Sequence, residues 1–281
     1  MIVPYVIIGM ICLLFVSLLI YSFFVEPYDV RLSRVDVRIP DLPKPLEGVT
    51  ICHISDTHTS QNGRLEEKLL QVLREVHPDL CVVTGDIGRK HRKPDAAIEL
   101  ISKYRAKYGV FAVFGNNDYR LTMPIDEFAN KIRNTGVHLL ENQHFSLYIK
   151  GQKMHIIGVE DPYRGLDDLD AAMSGTGADG FRILLAHSPD ILKHIDKHKV
   201  DLILAGHTHG GQVKVPGIGP LWLHCRYHLG ISDGYYSSEM LSKKLGTPVR
   251  TRMYVSRGIG SSTIQARFRC PPEVSIIRLI R

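Results

Sequence analysis

Five apolar runs in this chain each stop at a cluster of Asp, Asn or His, and this repetition restricts the fold more than any other feature. The runs are Val49 to Ile54, Leu80 to Thr84, Val110 to Phe114, Ile183 to Ala186 and Leu202 to Ala205. The clusters behind them are Asp56-Thr57-His58, Gly85-Asp86, Gly115-Asn116-Asn117-Asp118, His187 and Gly206-His207-Thr208-His209. Short apolar runs separated by helix-like stretches read as buried strands of an α/β sheet. In open α/β sheets the loops beyond the carboxyl ends of the strands converge on one crevice, so clusters far apart in sequence meet there. Asp, Asn and His together supply oxygen and imidazole donors, which suit Mn, Fe or Zn better than an oxygen-only calcium site. Taken singly, Asp-Thr-His or Gly-Asp at a strand end reads equally well as a helix cap or a turn; the co-occurrence is what points to a metal centre.

Between the runs, Leu65, Leu69, Val72, Leu73 and Val76 recur at helical spacing with Pro78 beyond them, which predicts a helix over Leu65 to Val76. Pro94 to Tyr108 reads as a second helix, and Phe145 to Val159 as two strands joined by Lys150-Gly151-Gln152. Met253 to Ser256 and Val274 to Ile280 read as strands of the tail, so mixed and antiparallel pairing is expected as well. Residues 26 to 48 hold prolines at 27, 40, 43 and 45 around the alternating stretch Val35 to Ile39, the pattern of a linker with one half-buried strand. One domain is expected to fill residues 49 to 281.

Residues 1 to 25 are of a different kind. From Ile2 to Val25 no residue carries a charge. At about 1.5 Å per residue a helix of that length reaches roughly 36 Å, past a bilayer core of about 30 Å. No Lys or Arg precedes it, and Glu26-Pro27-Tyr28 follows where a cleavage site of small residues would stand, so it reads as one transmembrane helix and not a removed signal. Arg31, Arg34, Arg38 and Lys44 lie on its carboxyl side and no base on the other, which by the positive-inside rule puts the domain on the cytoplasmic face of the cell inner membrane. The net charge of +6 permits contact with anionic lipid or phosphate but is no nucleic-acid footprint. The five cysteines show no CxxC spacing and imply neither a disulfide framework nor a zinc knuckle. No protein partner is expected.

The order and spacing of the five clusters resemble the calcineurin-like metallophosphoesterases, whose pattern runs D-x-H, GD, GNH[DE], H and GHxH. The stretches His209-Gly210-Gly211-Gln212 and Arg267-Phe268-Arg269-Cys270-Pro271-Pro272-Glu273 resemble the membrane-attached bacterial branch of that family. The resemblance covers roughly residues 49 to 281 and implies a four-layer α/β/β/α sandwich holding two divalent metal ions, Mn favoured over Fe or Zn. It implies one ion on Asp56, His58, Asp86 and His209, and a second on Asp86, Asn116, His187 and His207, with Asp86 shared. Two cations about 3.5 to 4 Å apart polarise a phosphoryl group and activate water, so the implied activity is hydrolysis of a phosphodiester or diphosphate bond.

The chain departs from the family pattern at Asn117, where a His is usual. An Asn does not protonate a leaving group, and an alkoxide would depart unassisted. A phosphate leaving group, with a second pKa of about 6, needs no such help. Asn117 therefore favours diphosphate cleavage, and with the membrane helix it points to a phospholipid or a nucleotide-linked lipid as substrate. In lacking that His the chain is similar to the UDP-2,3-diacylglucosamine pyrophosphatases of lipid A assembly. Asn117 and Asp118 are the catalytic candidates, with His53 and His91 as other possible carriers of the proton. Arg89, Arg92 and Arg120 are candidates for binding substrate phosphate, Arg89 and Arg92 within the basic run Arg89-Lys90-His91-Arg92-Lys93, and Arg164 is a further one. Val215 to Tyr236, which includes Leu221, Trp222, Tyr227, His228 and Tyr235, reads either as core or as a lipid contact. Two other functions stay open: a general phosphodiesterase acting outside the cytoplasm, and a membrane-anchored protein that retains metal without turnover.

Overall fold

A computed structural model describes residues 2–195, 197–223, 225–227 and 230–281. Helix α1 (Ile2–Ile20) runs on through a wider π-helical turn at Tyr21–Val25 and a last turn at Glu26–Tyr28. Two six-stranded sheets follow. The first has the order β1 (Arg31–Arg38), β14 (Glu273–Ile280), β2 (Thr50–Ile54), β3 (Leu80–Thr84), β4 (Val110–Val113) and β5 (His138–Leu139). The second has the order β12 (Gly234–Tyr236), β13 (Arg252–Val255), β9 (Leu202–Ala205), β8 (Phe181–Leu185), β7 (Gln152–Gly158) and β6 (Gln143–Ile149). A small hairpin, β10 (Lys214–Val215) and β11 (Gly219–Pro220), leaves the second sheet after β9.

Strands β2 to β5 are mutually parallel, as are β7, β8, β9 and β13, so the loops leaving both sets open at carboxyl edges. The mixed pairing expected of the tail and of residues 145–159 is present: β14 runs antiparallel to β2, and β6 to β7. Side-chain alternation explains why neither sheet is amphipathic. In β3, Leu80 and Val82 enter the core between the sheets while Cys81 and Val83 face the outer helices. In β9, Leu202 and Leu204 face inward, Ile203 and Ala205 outward. Strands buried on both faces read as continuous apolar runs.

The outer face of the first sheet is covered by α2 (Arg64–Arg74), α3 (Asp95–Ile101) and α4 (Ile125–Asn134), through Leu69, Leu100 and Phe128. The outer face of the second is covered by α5 (Leu169–Met173) and α6 (Ser238–Leu245), through Leu169 and Leu241. The architecture is the four-layer α/β/β/α sandwich. The segment read as a linker is woven into it: β1 pairs along its whole length with β14, and Val37, Ile39, Leu42 and Leu46 belong to the inter-sheet core. The helix expected over Pro94 to Tyr108 stops at Ile101, because the following chain is drawn back to the strands. Lys107 and Tyr108 donate their main-chain N–H groups to Pro78 and Asp79 at 3.1 and 2.8 Å, which leaves neither for a helical bond.

Candidate metal centre

All seven metal-ligand candidates, Asp56, His58, Asp86, Asn116, His187, His207 and His209, come together at the carboxyl edges of the two sheets, and each is buried. The loops after β2 and β3 continue the sheet by main-chain bonds from Asp56 to Gly85, His58 to Asp86 and Thr59 to Ile87, at 2.9 to 3.0 Å. Cross-sheet contacts clamp the two halves. His207 N–H donates to Asp56 Oδ2 at 3.0 Å, and His187 Nδ1 lies 2.8 Å from the Thr84 carbonyl. Close approach requires glycine here: a Cβ on Gly85 would stand 2.5 Å from Gly115 N, and one on Gly206 would collide with Ser55 Oγ.

The backbone is strained where the donors sit. Asp56, His58, Asp86, His207 and His209 all have positive φ, between 46° and 68°. A non-glycine residue in that region is uncommon and costs about 1 kcal/mol or more, so five in one site mark a geometry that the surrounding structure holds in place.

Two donor groups result. Asp56, His58 and His209 present ligand atoms within 4.8 Å of one another, and so do Asp56, Asp86 and His187. The two groups share Asp56, and Asp86 Oδ2 reaches towards a histidine of each, 3.5 Å from Nε2 of His58 and 3.5 Å from Nε2 of His187. His187 Nε2 is also 3.1 Å from Asn116 Oδ1 and 3.0 Å from His207 Nδ1. His58 and His209 stack with Nε2 atoms 3.1 Å apart.

Electrostatics fit a cation. Burial pushes the Asp56 carboxyl up to about 6, with His187 opposing and Asp86 adding to the rise. Burial also works against the charge on Asp86, but His187, His58 and the Asn117 amide outweigh it and hold that carboxyl well below the usual range. Burial drives His58 down to about 4 and lowers His209, which keeps both imidazoles neutral, the form that ligates metal. Asp56 Oδ1 and His209 Nδ1 are buried without a hydrogen-bond partner. Buried acceptors left in this state are costly unless something completes them, and neutral imidazole with carboxylate is the donor chemistry of divalent transition metals.

A cavity of about 160 Å³ opens over these residues, lined by Asp86, Asn116, Asn117, His207 and His209 together with Lys90, Arg120, Tyr163, Ser262 and Thr263. Asn117 thus faces the site, its N–H donating to Asp86 Oδ1 at 2.7 Å and its side-chain amide to Oδ2 at 2.5 Å. Asp118 is buried and does not line the cavity. Its oxygens accept the N–H groups of Gly88 and Gly115 at 3.0 and 2.9 Å, tying the loops after β3 and β4 together. His53 is buried beside Thr84 at 2.8 Å and His91 is exposed; neither lines the cavity.

Of the arginines, Arg120 lines the cavity, while Arg89 lines a neighbouring one of about 180 Å³ between His58 and the end of the apolar N-terminal helix. Arg92 is exposed and lines neither, and Arg164 lies over the Tyr119 ring at 4.9 Å. Sequence reasoning missed Tyr163, whose ring is 4.6 Å from that of His207, and Asp161, a buried carboxyl pushed up to about 6 by its desolvation. Asp161 had a signal: like the other clusters, it follows a strand end, that of β7.

A cluster of buried Asp and His donors on the crest of an α/β/β/α sandwich is the arrangement of a metal-dependent phosphoesterase. Residues 49–211, more than half of the chain, match the model of the calcineurin-like phosphoesterases, and the protein belongs to that family of hydrolases. Its sequence is 28% identical over 265 residues to the metallophosphoesterase YkuE of Bacillus subtilis, covering 92% of this chain and 88% of that one. It is 24% identical over 322 residues to the UDP-2,3-diacylglucosamine pyrophosphatase LpxG of Chlamydia trachomatis, covering 93% and 92%. Among solved structures, TT1561 of Thermus thermophilus shares the fold with a TM-score of 0.50 at 14% identity, over 75% of this chain and 90% of that one.

Proposed function

We propose that this protein is a membrane-anchored hydrolase of a phosphodiester or diphosphate bond in a lipid, with UDP-2,3-diacylglucosamine as the best candidate. The observation that carries the reading is the position of Asp86 Oδ2, 3.5 Å from both His58 Nε2 and His187 Nε2 among buried donors of strained backbone. On this reading Asp56, His58, Asp86 and His209 hold one divalent ion and Asp86, Asn116, His187 and His207 a second, with Mn the favoured metal. Bound there, two such ions supply Lewis-acid activation of a phosphoryl oxygen and of water.

The chain's own residues do the rest. Arg120 and Lys90, on the cavity wall, bind the phosphates as cations without competing for the metals. Asn117 fixes Asp86 through one amide hydrogen and has a second to offer a phosphoryl oxygen. Tyr163, its ring tilted against that of His207, screens one side of the cavity from water. With Asn117 unable to donate a proton, a leaving group that departs as phosphate is favoured, and the similarity to LpxG supports a lipid-linked nucleotide. The helical segment Val3–Tyr28, long and strongly apolar with its most apolar stretch unburied, supports a membrane anchor. The basic residues after it favour a cytoplasmic catalytic domain.

The test is Mn²⁺-dependent release of UMP from UDP-2,3-diacylglucosamine in mixed micelles, with Asp86→Ala as the blank. Release absent from the blank is expected. Cleavage of an aryl phosphodiester without any UMP release would replace the lipid diphosphate with another substrate. As a second check, Asn117→His should raise turnover on an alkyl diester more than on the diphosphate.

A further inference from the structure

We propose that the β10–β11 hairpin and the loop before β14 form a second membrane contact, lying in the bilayer interface beside α1. The proposal rests on α1 spanning a membrane and is independent of the substrate. Outside residues 2–28, only five large apolar side chains among the described residues are more than half exposed, and four of them, Ile218, Leu221, Trp222 and Ile264, belong to these two segments. Neither Val215 to Leu223 nor Ile259 to Ala266 contains a charged residue. An uncharged apolar patch on an otherwise polar surface marks a contact with another phase or partner.

A chain of hydrogen bonds fixes which. Arg267 N–H donates to the Ser22 carbonyl at 2.9 Å, and the N–H groups of Arg269 and Cys270 donate to the buried carboxylate of Glu26 at 2.9 and 2.5 Å. The same strip pairs on its other side with the hairpin, Phe268 to Gln212 and Lys214 to Phe268, both at 2.9 Å. Gln212 Nε2 reaches the Ile264 carbonyl at 2.8 Å, and Leu221 N–H the Val213 carbonyl at 3.1 Å. Adjacent strands lie about 4.8 Å apart, so the patch stands within a few strand widths of the membrane helix. Its height follows too: Ser22 stands four residues before Glu26, inside the uncharged segment and about one helical turn from its end. Interfacial elements bury about 5 to 10 Å into the headgroup boundary, and Trp is favoured there.

The attachment is rigid. Arg267 is fully buried and its guanidinium is held by the carbonyls of Cys270, Arg257, Gly258 and Gly260. The contact also bears on the metal centre. A Cβ on Gly211 would stand 2.9 Å from the Trp222 carbonyl, so the hairpin rests on the loop of His209, and Ser262 and Thr263 of the second segment line the cavity. Of the longer stretch left open between core and lipid, Tyr236 is buried and belongs to the core, whereas His228 lies outside the described residues.

Trp222 is the sole tryptophan, so the intact chain reports its own depth. The full chain is reconstituted in phosphatidylcholine and phosphatidylglycerol vesicles, with and without lipid brominated near the headgroup. Bromolipid should quench Trp222 emission about twofold, as expected for a ring at the interface. Leu221→Asp should abolish the quenching with bound metal unchanged. Equal emission in both vesicle types, with the protein resistant to carbonate extraction, overturns the proposal and leaves the anchor standing. A blue-shifted emission that bromolipid does not quench, the signature of a second copy covering the patch, overturns it as well. Release of the protein by carbonate overturns the anchor and the contact together.

Discussion

The strands and the loops that leave them obey opposite rules although a residue or two separates them. In β8, Ile183, Leu184 and Leu185 are fully buried, apolar, and packed alternately against the inner and outer cores. Two residues on, His187 is just as buried, yet it is an ionisable ring lodged against Asp86, with burial opposing its charge and Asp86 and Asp56 raising its pKa. The strands hold the fold; the loops are held by it, in a backbone geometry they would not adopt alone.

The sharpest way to break this contrast is to remove the shared carboxylate. Asp86→Ala should cut Mn²⁺-dependent turnover roughly a thousandfold, since ionic clamping of a phosphoryl group is worth several kcal/mol and each 1.36 kcal/mol is tenfold. In EDTA its thermal midpoint should fall while the protein stays folded, because His187 and the Asn117 N–H groups lose their buried carboxylate partner but no packed apolar group is removed. A variant that unfolds would show that the loops carry stability after all. The converse is Ile183→Ala, expected to lose about 2 to 5 kcal/mol in urea denaturation while kcat under native conditions stays the same. A change in kcat without a change in stability would erase the distinction.

The same contrast governs what the sequence could reveal. Apolar runs such as Leu80 to Thr84 announce buried strands because every residue must be apolar when both faces are covered. The polar clusters announced a site because Asp, Asn and His at a strand end are each ordinary but together are not. Three things had no signal. Left-handed backbone at Asp56 or His207 is set by tertiary contacts across the two sheets, not by those residue types. Glu26 read as a charged flank of the membrane helix, yet it is 1% exposed, because it caps two main-chain N–H groups some 240 residues away. Arg267, which in the sequence figured only in the stretch that resembles the membrane-attached branch, is buried with its charge spread over four carbonyls that hydropathy does not count.

Buried charge outside the metal loops sharpens the comparison at a smaller scale. Glu273 opens β14 at 2% exposure. Burial works against its charge, but Arg257 Nε at 2.8 Å and the Tyr254 hydroxyl at 2.7 Å outweigh it and hold the carboxyl down at about 2. A carboxyl whose folded pKa lies below its unfolded value contributes stability above the unfolded pKa, and that contribution is lost as pH falls towards the folded one. The window is therefore from about 4.5 down to about 2, and the contribution is on the order of 3 kcal/mol. Glu273→Gln should lower the urea midpoint at pH 7 and flatten its decline across that window. A parallel decline in both proteins would assign the acid sensitivity elsewhere.

The smallest effect tests whether left-handed backbone is itself a burden or matters only at the site. Lys150 and Gly151 form the two-residue turn between β6 and β7, closed by the Ile149 and Gln152 pair, with φ of 50° and 78°. Positive φ at both central positions is the type I′ hairpin turn, for which Asn-Gly is the favoured sequence and Lys-Gly is not. Asn tolerates the left-handed region because its short side chain bonds locally, so Lys150→Asn should raise stability by a few tenths to about 1 kcal/mol with turnover and metal content untouched. At His207, where φ is 68°, relief by His207→Gly would remove the same kind of strain and with it a donor, so stability and turnover should move in opposite directions. If both substitutions instead lowered stability, the strain at the metal loops would be compensated locally. The fold would then not be what holds the donors in place.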